Sequence, residues 1–342
     1  MFKLLPISKY ILHKFKNKFV NRNVIFSGNI RDSIPIYLNT FISFINTHQY
    51  DYYIWLKKFL NNKVHYDLVE NILINNFNTL LFFWSKNKSE SIFLLENILS
   101  ILDINSDIYV IGENNSGINQ IKNIANFNND IHFNKIISAR KCSIYYGILR
   151  KKIIFNKNIY WINYFYKNYT INSLPGVFSS KKLDYGSKLL ISTIKNNNNI
   201  KGKILEIGCG SGIISTIIGS STNKKYSLFL VDINSNAITS SKKTIFINQI
   251  KNTYIFPSNI YSNIYEKFDL IVSNPPLHIG LNYSLDILYK IIYNAKNYLN
   301  YGGELRFVIN NFLPYFKSLK KKFKINTLSK NKNYTVYSMK NI

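Results

Sequence analysis

Cysteine is nearly absent from this chain: among 342 residues only Cys142 and Cys209 carry a thiol. Two cysteines exclude a disulfide framework, and the five scattered histidines give no ligand spacing for zinc. No metal is expected. So few thiols suit a reduced, cytoplasmic setting. Acidic residues are also scarce, 17 against 44 lysines and arginines, and the arginines are only Arg22, Arg31, Arg140, Arg150 and Arg306. No apolar run is long enough to span a bilayer. Lysines interrupt the opening MFKLLPISKYILHKFKN, so the start does not read as a signal peptide.

What the chain has instead is positive charge, +27 formally, which suits a polyanionic partner such as a nucleic acid. A second source of that charge is equally visible. Lys, Asn, Ile, Tyr and Phe are all encoded by A/T-rich codons, so a biased genome produces the same excess. The 46% hydrophobic content supports sizeable cores, and the length suits two domains.

From residue 201 strands and helices alternate. Lys203–Gly208 is an apolar run ending at glycines, and Tyr226–Asp232 is a second strand followed by a helical stretch, Ser235–Asn248. Thr253–Phe256 and Phe268–Ser273 read as third and fourth strands, Leu285–Leu299 as a helix, and Gly303–Asn310 as a fifth strand. Phe323–Leu328 and Tyr334–Met339 supply a closing antiparallel pair. The pattern predicts an open, doubly wound α/β sheet. The first half echoes it in Asn23–Gly28, Thr79–Lys86, the helix Ser91–Leu102 and the strand Asp107–Gly112. It reads as a degenerate duplicate without the glycines, expected to bind no cofactor. The boundary is expected near residues 155–172, giving domains 1–160 and 173–342. Lys195–Ile200 reads as a solvated loop.

The first strand of the second half leads into Glu206-x-Gly208-x-Gly210-x-Gly212. A pyrophosphate site prefers G-x-G-x-x-G. An acid ahead of the glycines repels pyrophosphate and suits the ammonium of a methionine moiety, favouring S-adenosylmethionine over a nicotinamide dinucleotide. Asp232 ends the second strand, where an acid grips ribose hydroxyls; alone, it serves equally as the cap of the next helix. Asn259, after the third strand, is placed to face an adenine, although a turn Asn is as good a reading. The fourth strand delivers Asn274-Pro275-Pro276-Leu277. The Asn274 side-chain oxygen and the Pro275 carbonyl are two acceptors that can hold an exocyclic amine for attack on a methyl group. The methylated amine is acidic enough to lose its proton to water, which explains why no general base stands nearby.

Several stretches carry a resemblance: LEIGCGSGIIS (205–215), SNPPLHIG (273–280), GGELRFVINNFLPY (302–315) and LPGVFSSKKLDYGSKLLISTI (174–194), with WSKNKSE, DIYVIGENNSG and SARKCSIYYG in the first half. Through them the whole chain resembles the ribosomal RNA small subunit methyltransferase C family, which methylates N2 of a guanine in 16S rRNA. The resemblance implies two tandem Rossmann-like domains of the class I S-adenosylmethionine-dependent methyltransferase type, the first degenerate and serving RNA recognition or support. It maps Glu206, Gly208, Gly210, Gly212, Asp232 and Asn259 to the cofactor and Asn274, Pro275, Pro276 and Leu277 to the amine. Phe178 is placed over the active site, a core position being the competing assignment. His278 is given a structural role, and Cys209 a packing role. The implied partner is 16S rRNA or the small ribosomal subunit, with a monomer as the expected state. Three positions depart from the family: Leu277 stands for an aromatic that stacks on the base, Ile279 for an acid and Thr335 for a basic residue. Two other readings stay open, another Asn-Pro-Pro enzyme acting on adenine or protein glutamine, and a decayed RNA-binding or ribosome-assembly protein.

Overall fold

The structure, a computed structural model, describes the backbone of every residue except 1, 39, 41, 71–75, 125–126, 128–129, 196–199, 222–224, 277, 280–281, 284, 313–323 and 342, and the side chains of the rest except 195, 278–279 and 282–283. It divides into two compact units, Met1–Tyr160 and Trp161–Ile342. Among the described residues no helix is long and apolar enough to cross a membrane.

The first unit runs α1 (Pro6–Phe19), β1 (Asn23–Gly28), α2 (Ile34–Tyr37), β2 (Ile42–Thr47), α3 (Tyr50–Leu60) and β3 (Val64–Tyr66). It continues through β4 (Thr79–Phe83), α4 (Lys88–Leu99), β5 (Asp107–Glu113), β6 (Asn134–Ala139) and β7 (Cys142–Ile148). These strands form one sheet of order β3-β2-β1-β4-β5-β7-β6. It is parallel as far as β5, and β7 joins it antiparallel. All five residues of β4, Thr-Leu-Leu-Phe-Phe, are buried, as a strand covered on both faces requires. Helix α1 buries Ile7, Ile11, Phe15 and Phe19, spaced one helical turn apart.

The second unit opens with a hairpin, β8 (Ile162–Tyr166) and β9 (Tyr169–Ser173). Then come α5 (Tyr185–Lys195), β10 (Gly202–Ile207), α6 (Ile213–Ser221), β11 (Tyr226–Asp232), α7 (Ser235–Ile247), β12 (Thr253–Pro257) and β13 (Phe268–Ser273). A two-strand ribbon follows, β14 (His278–Ile279) with β15 (Asn282–Tyr283), and the chain ends α8 (Asp286–Tyr298), β16 (Leu299–Asn310), β17 (Asn326–Lys330) and β18 (Tyr334–Lys340). The main sheet has the order β12-β11-β10-β13-β16-β18-β17, strand for strand the order of the first. The chain is thus two tandem Rossmann-like domains. Alternate residues of β10 serve opposite faces. Leu205 and Ile207 pack with Leu288, Ile291 and Ile292 of α8, while Ile204 packs with Leu190 of α5 and Ile214 and Ile217 of α6.

Several elements differ from the sequence expectation at their ends, for local reasons. Helix α4 starts at Lys88, before the expected Ser91, because the Asn87 side chain accepts from Glu90 N at 3.1 Å and caps it. Strand β4 stops at Phe83, not Lys86, because Ser85 N is drawn to Ser91 Oγ of α4 at 2.9 Å. The closing strand falls at Asn326–Lys330. The boundary region expected near 155–172 holds the β8–β9 hairpin, and α7 holds its free edge. Ser240 Oγ, Thr244 Oγ1 and Asn248 Oδ1 accept from the backbone N–H groups of Leu174, Asn172 and Thr170, at 2.9, 3.0 and 3.0 Å. Four residues of helix advance about 6 Å and two of strand nearly 7 Å, so the two periods stay in step over three bonds.

Candidate active site at the carboxyl ends of the second sheet

Strands β12, β11, β10 and β13 are adjacent and parallel, so their carboxyl ends meet at one edge of the sheet. The strand order reverses between β10 and β13, the place where open α/β sheets leave a crevice. Hydrogen bonds join the four ends. Gly208 N and Cys209 N donate to Val231 O at 2.8 and 3.0 Å, and Gly210 N donates to Asp232 Oδ2 at 3.0 Å. Ser258 N donates to Asp232 O at 3.0 Å, and Ser273 Oγ to Ile207 O at 2.9 Å.

The glycines of the turn divide by task. Gly208, Gly210 and Gly212 all have positive φ, +74°, +54° and +79°. A Cβ at Gly208 or Gly210 would meet nothing within 4 Å, so these two leave open room above the strand end. A Cβ at Gly212 would lie 3.2 Å from Ser241 Cα, so that glycine lets α6 pack closely on α7. Cys209 is buried, and burial pushes its thiol well above the ordinary range; it packs, and Ser241 Oγ donates to its Sγ at 3.2 Å.

Glu206 is 1% exposed. Its Oε2 accepts from Ser215 N at 3.0 Å and from Ser215 Oγ at the start of α6. Its Oε1 is buried without a hydrogen-bond partner among the described residues. Burial pushes the carboxyl up to about 8; the Ser215 bonds oppose the rise and the Asp232 charge adds to it. A buried carboxyl oxygen without a donor, beside a turn that two glycines keep open, fits a ligand that brings a cation. The helix-cap alternative for Asp232 falls to Asn234, whose side chain accepts from Asn236 N at 2.8 Å and caps α7. Asp232 instead bonds Gly210 N and, through Oδ1, Asn234 N at 3.0 Å, and burial raises its carboxyl. Asn259 is exposed just past β12, with its backbone N donating to Ser262 Oγ at 2.9 Å.

Asn274 follows β13 directly and is half-buried; Pro275 is buried and Pro276 exposed. The Asn274 amide nitrogen donates to Asp184 Oδ1 at 3.2 Å and to Ser187 Oγ at 2.9 Å. Asp184 also caps α5, its Oδ1 accepting from Ser187 N at 3.0 Å. Sequence reasoning gave no role to this pair. The local signal was an Asp three residues before a Ser at a helix start, which predicts a cap and says nothing of a residue 90 positions later. Phe178 is 69% exposed in the loop between β9 and α5, which removes the core assignment. Leu277 and the His278 and Ile279 side chains lie outside the described residues. Thr335 is buried in β18, and its Oγ1 donates to Asn311 Oδ1 at 2.6 Å.

The comparisons with known proteins converge. The family model described as "Methyltransferase small domain" matches residues 168–338, and "Methyltransferase small domain N-terminal" matches 9–164. A Ribosomal RNA small subunit methyltransferase C of Erwinia tasmaniensis is 40% identical over 93% of this chain and 91% of its own length. That of Hamiltonella defensa is 37% identical over 98% of each. Among solved structures, a T. thermophilus 16S rRNA N2 G1207 methyltransferase in complex with AdoMet and guanosine superposes with a TM-score of 0.82 at 19% identity, covering 97% of this chain and 92% of the other. With both halves matched in sequence and the whole chain matched in fold, this chain belongs to the ribosomal RNA small subunit methyltransferase C family.

Proposed function

We propose that this protein methylates the exocyclic N2 amine of a guanine in small-subunit 16S rRNA, using S-adenosylmethionine. Bound in the crevice, S-adenosylmethionine supplies an electrophilic methyl group and a good leaving group. Glu206 Oε1 would accept its ammonium, Gly208 and Gly210 would give its methionine chain room, Asp232 would accept from its ribose, and Asn259 would meet its adenine. Asn274 and the Pro275 carbonyl hold the target amine. They accept its two N–H bonds and draw the nitrogen lone pair out of the ring, toward the methyl carbon. The N–C bond forms as the S–C bond breaks, the sulfur keeps the bonding pair, and the proton of the methylated amine passes to water. Orientation and fixed acceptors of this kind are worth about 10²–10³ in rate.

The observation that carries this reading is the register of β10 with β13: Ile207 lies beside Ser273, so Asn274 and the uncrowded Gly208–Gly210 turn leave neighbouring strands at the same level. On the same reading residues 173–342 form the catalytic domain, and the first domain, 1–160, serves RNA recognition or support. The enzyme works as a cytoplasmic monomer on free rRNA or the small subunit. A base must leave its stack to reach such a site, and the lysine-rich surface suits the phosphate backbone. The test is incubation with methyl-labelled cofactor and small-subunit RNA or particles, then nucleoside analysis. Label in N2-methylguanosine is expected. Label only in adenine or in protein glutamine overturns the assignment, and failure to bind S-adenosylmethionine favours a decayed, non-catalytic protein.

A further inference from the structure

The Asn274 amide has two chemically opposite ends, and its use as an amine acceptor depends on which one faces the crevice. The nitrogen end carries two protons. Both have acceptors: Asp184 Oδ1 at 3.2 Å and Ser187 Oγ at 2.9 Å. Turning the amide over would set its oxygen against the Asp184 carboxylate, two acceptors in contact with no proton between them. Among the described residues Asn274 Oδ1 accepts no hydrogen bond, so the oxygen is the end left for a substrate.

Asp184 and Ser187 are themselves held. Asp184 Oδ1 accepts from Ser187 N at 3.0 Å and its backbone oxygen from Lys188 N at 3.0 Å, so the first turn of α5 fixes both partners. Ser187 is buried. Gly186 between them makes the approach possible: a Cβ there would lie 3.1 Å from Asp184 Oδ1 and 3.3 Å from the Tyr334 ring. The contact is also directional. An amide that donates to an anion gains electron density at its oxygen, and bonds linked in this way strengthen one another.

We propose that Asp184, with Ser187, is a positioning residue for methyl transfer: it acts through Asn274, locking the side-chain oxygen toward the target amine and strengthening it as an acceptor. The inference rests on the methyltransferase reading of the site. It is tested by steady-state kinetics of labelled methyl transfer to small-subunit RNA, with S-adenosylmethionine affinity and melting temperature measured alongside. D184N keeps a helix cap and a neutral acceptor. Its kcat is expected to fall about tenfold, with cofactor affinity unchanged to within about twofold. D184A frees the amide to turn and is expected to lose about 10² in kcat. S187A, which removes one of the two anchors, should fall between wild type and D184A. A D184N enzyme turning over at the wild-type rate overturns the proposal, as does a loss that appears only in cofactor affinity or in melting temperature. Absence of transfer by the wild-type protein counts against the functional reading instead. The clamp is then judged from the Asn274 side-chain amide protons by NMR. Slow exchange in the wild type and fast exchange in D184A support it; equal, fast exchange in both overturns it.

Discussion

The two domains share one strand order, yet the chain leaves the first strand of each sheet in opposite directions. After β1, Asn29 N donates to Phe83 O of β4 at 2.6 Å, and a Cβ on Gly28 would lie 2.3 Å from that oxygen. The turn leans toward β4, across the switch point. After β10, Gly208 N and Cys209 N bond Val231 O of β11, on the other side, and a Cβ on Gly208 would meet nothing within 4 Å. The residue after the fourth strand differs in the same sense. In the first domain it is Trp84, 5% exposed and packed so that a Cβ on Gly112 would come within 2.9 Å of it. In the second it is Asn274, half-buried, with its amide fixed. The lesson is that the scaffold alone is silent on activity; a turn leaning one way or the other and one residue beside it separate a crowded strand end from an uncrowded one.

Substitutions at matched positions break or sharpen this contrast. The largest effects are expected at the residue after the fourth strand. N274A should cut methyl transfer by about 10²–10³ with little change in melting temperature. W84A should cost about 3–5 kcal/mol of stability by leaving a cavity, read by denaturant unfolding, with kcat unaltered in the folded fraction. A pair with the readouts exchanged would mean the first domain holds the chemistry. Next come the glycines. G28A forces a methyl into the Phe83 carbonyl and should cost roughly 1–3 kcal/mol without moving S-adenosylmethionine affinity. G208A puts a methyl into open space at positive φ; it should weaken cofactor binding by calorimetry while costing only about 1–2 kcal/mol.

The smallest effect is a slope. Burial holds the Glu206 carboxyl at about 8 in the folded chain against an ordinary 4.5. Its contribution is fully present below the ordinary value. As pH rises from there the unfolded chain releases the proton while the folded chain keeps it, so the contribution is lost progressively up to about 8. The melting temperature of the cofactor-free protein should therefore fall more from pH 5 to 8 than that of E206Q, by roughly 2–4 °C per kcal/mol. Parallel profiles would show Glu206 already ionised and paired.

Much of the second domain was legible in the sequence because its signals are local. The runs 203–208, 226–232 and 268–273 are strands with buried centres, and a strand centre covered on both faces is mostly apolar. The glycines of 208–212 announce a turn with positive φ. The edges were harder to see. β2, β3, β6 and β7 carry no clear signal of their own, and the boundary region near 155–172 does not announce the hairpin it holds. The free edge of β9 is satisfied by Ser240, Thr244 and Asn248, whose i, i+4, i+8 spacing looks like an ordinary polar helix face until a strand lies against it.

The sequence by itself determined which groups stand at the strand ends: an acid and three glycines on the first run, a second acid on the second and an Asn-Pro-Pro after the fourth. Their chemistry as acceptors and as open backbone belongs to the residue types. Only the tertiary structure decided how they are presented. The turn after β10 leans on β11 because Val231 O is there to receive it. The oxygen and nitrogen of the Asn274 amide are nearly equal in size, so nothing local prefers one orientation. A carboxylate 90 residues earlier, brought alongside by α5, makes that choice.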